Sequence, residues 1–179
     1  MRTNFLALFA AALIGLLAIT ATADEPTRMI AGPIAAQMPD ESKIEIETII
    51  ERYNSGKTKV ERQVAMDTDM NYVNHGDFRM FDQNGGEIAR GLFQADLREG
   101  PWVRVFSGNE STLFSQSPYK NFKPPFTSTA NFRNGVMEGA WVITDAQDRK
   151  VSEVQLINGQ RDGKLVFYSP AGDVAREIE

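Results

Sequence analysis

The stretch "HGDFRMFDQNGGEIARG", His75 to Gly91, decides how this chain is read. Its glycines invite a phosphate loop, but neither G-x-G-x-x-G nor G-x-x-x-x-G-K-[ST] is present, and no helix follows to offer its N-terminus to an anion. What is present is alternation. Phe78 and Met80 stand two apart after Gly76, Gly85-Gly86 supplies a turn, and "EIARG" begins a second run. Large apolar residues at every second position put one face of an extended chain inward, and glycine tolerates the left-handed backbone of a tight turn. The stretch is a β-hairpin, and the nucleotide reading fails.

The same unit recurs outward from it. Gly76 and Gly100 are 24 residues apart, as are Gly139 and Gly163, while Gly100 and Gly139 are 39 apart, which is one period plus an insert of 15. Two positions after these glycines stand Phe78, Trp102, Trp141 and Leu165, and the alternation continues to Met80, Ile143 and Phe167, with Arg104 as the polar exception. Nine positions after them stand Gly85, Asn109, Asp148 and Gly172, all turn-forming types. "NGVMEG" at Asn134–Gly139 recurs as "NGQRDG" at Asn158–Gly163, and an earlier partial unit spans Thr48 to Val64. A fixed period of this size is the mark of one supersecondary unit repeated in an array. The expected fold is all-β: an elongated, twisted antiparallel sheet of about five successive hairpins over residues 44–179, with period 24 and one long insert, about 107–125. Phe78, Trp102, Trp141, Leu165 and Phe167 are the expected repeat core, because equivalent positions in an array pack on their neighbours.

The pattern carried by Gly76-Asp77-Phe78, Gly100-Pro101-Trp102, Gly139-Ala140-Trp141, Gly163-Lys164-Leu165, Gly85, Gly172 and the two Asn-Gly connections resembles the MORN-repeat variant of YwqK-type proteins. The resemblance covers about Thr48 to Glu179, with Leu165 in place of an aromatic and Asp148 in place of a turn glycine. It implies contact surfaces rather than chemistry. Many members of that family are labelled antitoxin components, and others are exported.

The N-terminus reads as an export signal. Arg2 gives a positive start, Phe5 to Ile19 an apolar stretch, and Ala21-Thr22-Ala23 a small-x-small cleavage site. Residues 1–23 are therefore expected to be a signal peptide, and 24–43, with Pro26, Pro33 and Pro39, a flexible leader. The expected location is secreted, periplasmic or cell-envelope, with no stable membrane insertion after cleavage. There is no cysteine, so disulfides, thiolate metal sites and cysteine nucleophiles are excluded. Loss of Arg2 takes the net charge from −5 to −6, the wrong sign for nucleic acid or anionic lipid.

Other constellations are weaker. Asp67, Asp69 and Asn71 have the spacing of a calcium loop, but Tyr72 stands where it needs glycine and Phe78 where it needs a bidentate glutamate. A turn uses the same residues for local hydrogen bonds. His75, the single histidine, occupies the position held by Glu99, Glu138 and Asp162 in the other units and reads as an exposed loop residue. Glu41, Glu45, Glu47 and Glu51 could serve a hydrolase only within an enclosed cleft, and alternation with Ile44 and Ile46 reads instead as a charged edge strand. No cofactor motif is found.

The insert "SGNESTLFSQSPYKNFKPP", Ser107 to Pro125, breaks the repeat and brings its own apolar residues. Long loops on a rigid scaffold often bind partners. Arg104, Leu113, Phe114, Tyr119, Lys120, Phe122 and Lys123 are the candidate partner-binding residues. The alternative is a lid that shields the sheet. The expected function is recognition of a protein partner without enzymatic activity. The alternatives are an envelope scaffold that self-associates through sheet edges and a hydrolase using the acidic face.

Overall fold

Residues 32–179 are described by the structure, a computed structural model. The expected signal peptide and the first part of the leader lie outside them. The protein is all-β, with a single open antiparallel sheet in which each strand neighbours the next in sequence, apart from a two-residue strand that pairs only with the one before it. The strands are β1 (Glu47–Arg52), β2 (Thr58–Met66), β3 (Tyr72–Phe81), β4 (Glu87–Gln94), β5 (Leu97–Phe106), β6 (Phe126–Arg133), the short β7 (Val136–Met137), β8 (Gly139–Thr144), β9 (Lys150–Ile157), β10 (Gln160–Tyr168) and β11 (Val174–Ile178). Such a meander makes the turns alternate between the two ends of the sheet.

Turn chemistry explains each reversal. At one end, the N–H of the first turn residue donates to the carbonyl of the fifth in Tyr53–Lys57, Asp82–Gly86, Asp145–Arg149 and Ser169–Asp173. The fourth residue is left-handed each time: Gly56, Gly85, Asp148 at φ 57° and Gly172. Asp148 thus takes the place of a glycine, as an aspartate can. Asn109 does not, because the chain there enters the insert and turns through Ser107–Glu110 instead. At the other end, Ala95-Asp96, Asn134-Gly135 and Asn158-Gly159 each have both residues at positive φ, the geometry of a two-residue hairpin turn that matches strand twist.

The pairings trace continuous rows across the sheet. One row on the inner face runs Glu51, Val60, Met80, Ala89, Arg104, Ser128, Ile143, Ser152, Phe167, Arg176. The next row, on the opposite face, runs Ile50, Glu61, Arg79, Arg90, Val103, Thr129, Val142, Glu153, Val166, Glu177 and contains no buried residue, whereas seven of the ten in the inner row are buried. This difference is the period-2 pattern made physical.

Phe78, Trp102, Trp141, Leu165 and Phe167 are all buried. Trp102 meets Phe78, Phe93 and Phe132 with ring centroids 5.6, 4.9 and 6.2 Å away. It lies across Gly91, where a Cβ would fall 2.2 Å from the ring, so this glycine makes room for the indole rather than a turn. Both indole N–H groups are satisfied: Trp102 donates to Leu92 O and Trp141 to Ser128 Oγ.

Residues 32–40 run without regular structure along the end carrying the two-residue turns. Ala36 N–H donates to Ala95 O, and Thr68 N–H donates to Gln37 O. Pro33 also lies against Gly135, where an added Cβ would come within 2.8 Å of its ring. Over this part the expected leader is tied to the sheet by backbone hydrogen bonds.

Candidate partner-binding surfaces

The insert is placed by its aromatic residues. Two short 3-10 turns, Thr112–Ser115 and Tyr119–Asn121, lay it over the inner face. Phe114 stacks on Phe126 at 4.7 Å and meets Phe106 at 5.6 Å. Tyr119 sets its edge against Phe126 and Phe167 at 5.7 and 6.4 Å, and its hydroxyl shares a hydrogen bond with Ser152. Phe122 lies under the Arg149 guanidinium at 5.4 Å. Phe114, Tyr119 and Phe122, three of the candidate partner-binding residues, are therefore buried, as the alternative of a lid that shields the sheet requires. The physical reason is the single-layer sheet, whose apolar face at this end has no other cover among the described residues.

Arg104 is likewise enclosed. It donates to Ile88 O and Val105 O and pairs with Glu110 at 2.9 Å, with its guanidinium 5.0 Å from the Phe106 ring. Burial pushes its pKa down, and Glu110 pulls it back up. Its role here is to anchor the start of the insert. The far end is anchored by Asp145, whose carboxylate accepts from the Lys123 N–H, while Lys123 O accepts from Ala146 N–H. Of the seven residues expected to meet a partner, Lys120 and Lys123 remain exposed; Leu113 lies in the first 3-10 turn.

Asp145 is the most strongly held acid here. It is fully buried and accepts from Gln147 N–H, Arg149 N–H and the Arg149 guanidinium at 2.6 Å. Burial opposes its ionisation, but the Arg149 guanidinium and the backbone donors outweigh burial and hold its pKa at about 2. The same cradle recurs in Asp82, which accepts from Asn84 and Gly86 N–H, and in Asp67, which accepts from Asp69 and Asn71 N–H. The Asp67 turn also receives the Asn71 side-chain amide. This Asp67, Asp69, Asn71 constellation therefore has the geometry of a turn cradle. The described residues hold no group of three acid or histidine side chains set to share a metal ion.

His75 proves to be a staple. Its Nδ1 accepts from the Ala95 N–H at 3.3 Å. Glu99 accepts from Asn134 N–H at 2.8 Å, and Glu138 from Asn158 N–H at 2.9 Å. In each case the side chain before a glycine holds the two-residue turn of the following connection. Sequence reasoning assigned this position to a loop, although shared acceptor chemistry at one register position was the available signal.

The remaining surface is dominated by two edges. Neither β1 nor β11 has a second neighbour among the described residues. β1 exposes Ile50, just after exposed Ile46, and β11 exposes Val174. The acids proposed for chemistry are dispersed: Glu41 lies in a short 3-10 turn, Glu45 is exposed beyond it, Glu47 accepts from the Tyr72 hydroxyl, and Glu51 sits 3.6 Å from Arg62. A shallow groove of about 310 Å³ adjoins the end of β1, lined by Arg52, Tyr53, Asn54, Ser55, Lys59 and Gln83. No helix among the described residues is long and apolar enough to cross a membrane. The fold and surfaces define the chain as an open antiparallel β-meander. No family model, curated protein or solved structure matches it.

Proposed function

We propose that this is an exported, non-enzymatic repeat protein of MORN-variant type that recognises a protein partner by strand addition at its sheet edges. The observation that carries this reading is the pair of unextended edge strands, each with an exposed branched apolar residue among charges. An unpaired edge offers a row of backbone donors and acceptors, and adjoining side chains supply specificity. The repeat reading is supported by left-handed backbone at Gly76, Gly100, Gly139 and Gly163, two positions before the inward Phe78, Trp102, Trp141 and Leu165. The staples from His75, Glu99 and Glu138 add a second recurring feature. Export rests on residues 1–23 and their cleavage pattern.

The insert serves in this reading mainly as the cover of the inner face, with Lys120 and Lys123 on its outer side. Removing it would bare Phe106, Phe126 and Phe167, so its surface is better tested by substitution. Cross-linking capture from native envelope and medium, with the intact protein, Ile50→Lys and Lys120→Glu/Lys123→Glu, tests the proposal. Loss of a captured protein with Ile50→Lys alone supports edge recognition. Loss only with the lysine pair moves recognition to the insert, and capture indifferent to both refutes either surface.

A further inference from the structure

The two edges are complementary to each other. The inner-face row that begins at Glu51 on β1 ends at Arg176 on β11. Arg176 is exposed and has no carboxylate partner among the described residues. Its neighbours Glu177 and Glu179 are both engaged by Lys164, at 2.6 and 3.2 Å. On the inner face β11 therefore presents the Arg176 cation, while Glu177 stands in the opposite row. At the other edge Glu51 is half exposed, and its one ion pair among the described residues, to Arg62 Nε, is long at 3.6 Å. That Nε finds no hydrogen-bond acceptor among the described residues.

We infer that β11 of one copy pairs antiparallel with β1 of a second copy, in the register that sets Arg176 beside Glu51 and Ile178 beside Ile49. This rests on the edge-recognition reading above and names its partner. In this register the inner row of one copy continues directly into the inner row of the next. The opposite row also continues, from Glu177 to Ile50. Register shifts after Glu51 and between Phe167 and Tyr168 bound the regular segments, so the pairing is short, from Arg176–Glu179 against Thr48–Glu51. A contact of this size is weak and concentration-dependent.

Like edges repel instead. A symmetric β1–β1 pair centred on Ile49 sets Glu47 against Glu51 twice, and a β11–β11 pair centred on Arg176 sets that guanidinium against its copy. Charge thus selects the unlike pairing through what it disfavours. A head-to-tail contact between unlike surfaces builds open chains unless the rotation between copies closes them into a ring.

The test is sedimentation velocity on the protein as its host processes it, across about a hundredfold range of concentration. The expected result is a sedimentation coefficient that rises with concentration without a plateau at the dimer. Arg176→Glu or Glu51→Arg alone weakens association about tenfold, because an attractive cross-strand pair becomes a repulsive one. The double variant, and an equimolar mixture of the two single variants, recover it. Arg176→Gln, which removes charge without reversing it, falls between and guards against a folding defect at Glu51. A single invariant sedimentation coefficient overturns the inference while leaving recognition of a different protein at Ile50 standing. Association that ignores both reversals, or that the double variant does not restore, also overturns it.

Discussion

Asp145→Asn tests how the insert is held. The substitution keeps one side-chain oxygen for the Gln147 and Arg149 N–H groups but removes the charge facing the Arg149 guanidinium. A drop from 3.8 to about 2 corresponds to at most about 2.4 kcal/mol at neutral pH. Arg149 is one-third exposed, and solvent screening there reduces the expected loss to about 1–2 kcal/mol. The sign follows from the lowered pKa: the contribution is complete above 3.8 and is lost as pH falls toward 2. Urea unfolding followed by tryptophan fluorescence should therefore show the parent and the Asp145→Asn variant differing at neutral pH and converging near pH 2. The slope against urea should stay unchanged. Asp145→Ala additionally strips the acceptor from the Gln147 and Arg149 N–H groups and should cost about 1 kcal/mol more. Both variants should also speed proteolysis within 107–125, since each removes the oxygen that accepts from the Lys123 N–H. Equal stability of parent and Asp145→Asn at neutral pH, or a difference that persists unchanged at pH 2, would refute this reasoning.

Further consequences follow from other residues. Phe114→Ala should cost about 3–4 kcal/mol by chemical denaturation, because it removes a buried ring stacked on Phe126. Glu138→Ala should cost about 1 kcal/mol by removing the acceptor of the Asn158 N–H, whereas His75→Glu should be neutral or stabilising by up to about 0.5 kcal/mol, since glutamate performs the same role at Glu99 and Glu138. Met70 is exposed at φ 65°, so Met70→Gly should raise stability by about 1 kcal/mol in the same assay. Gly91→Ala should lose about 2–3 kcal/mol and alter tryptophan fluorescence, because the new methyl collides with the Trp102 ring.

Strand identity and the inward set were legible because their signal is local. Phe78, Trp102, Trp141, Leu165 and Phe167 follow a period of two, and a half-buried strand imposes that period wherever it sits. Asn134-Gly135 and Asn158-Gly159 announced their turns by residue type, but Ala95-Asp96 adopts the same geometry without a turn residue at its first position. There the backbone is held by His75 and Asn74, distant in sequence. The insert was visible as an interruption, but not the direction its aromatic rings face. That depends on whether the apolar sheet face has another cover, a tertiary fact that composition does not carry. Arg104 was noticed as a polar break, while its partner Glu110 lay in a segment with no pattern to assign it. The cross-sheet relation of Glu51 to Arg176 was invisible for the same reason: it requires every intervening register shift to be known.

The central claim is that this sheet ends in two strands that another protein chain can extend. Amide hydrogen exchange measured by mass spectrometry, on the processed protein at low and high concentration and bound to any captured partner, tests it most directly. The account predicts slowed exchange in Glu47–Arg52 and Val174–Ile178 on association, with exchange in β5 and β6 unchanged. Unaltered exchange at both edges, with protection confined to 107–125, would contradict it.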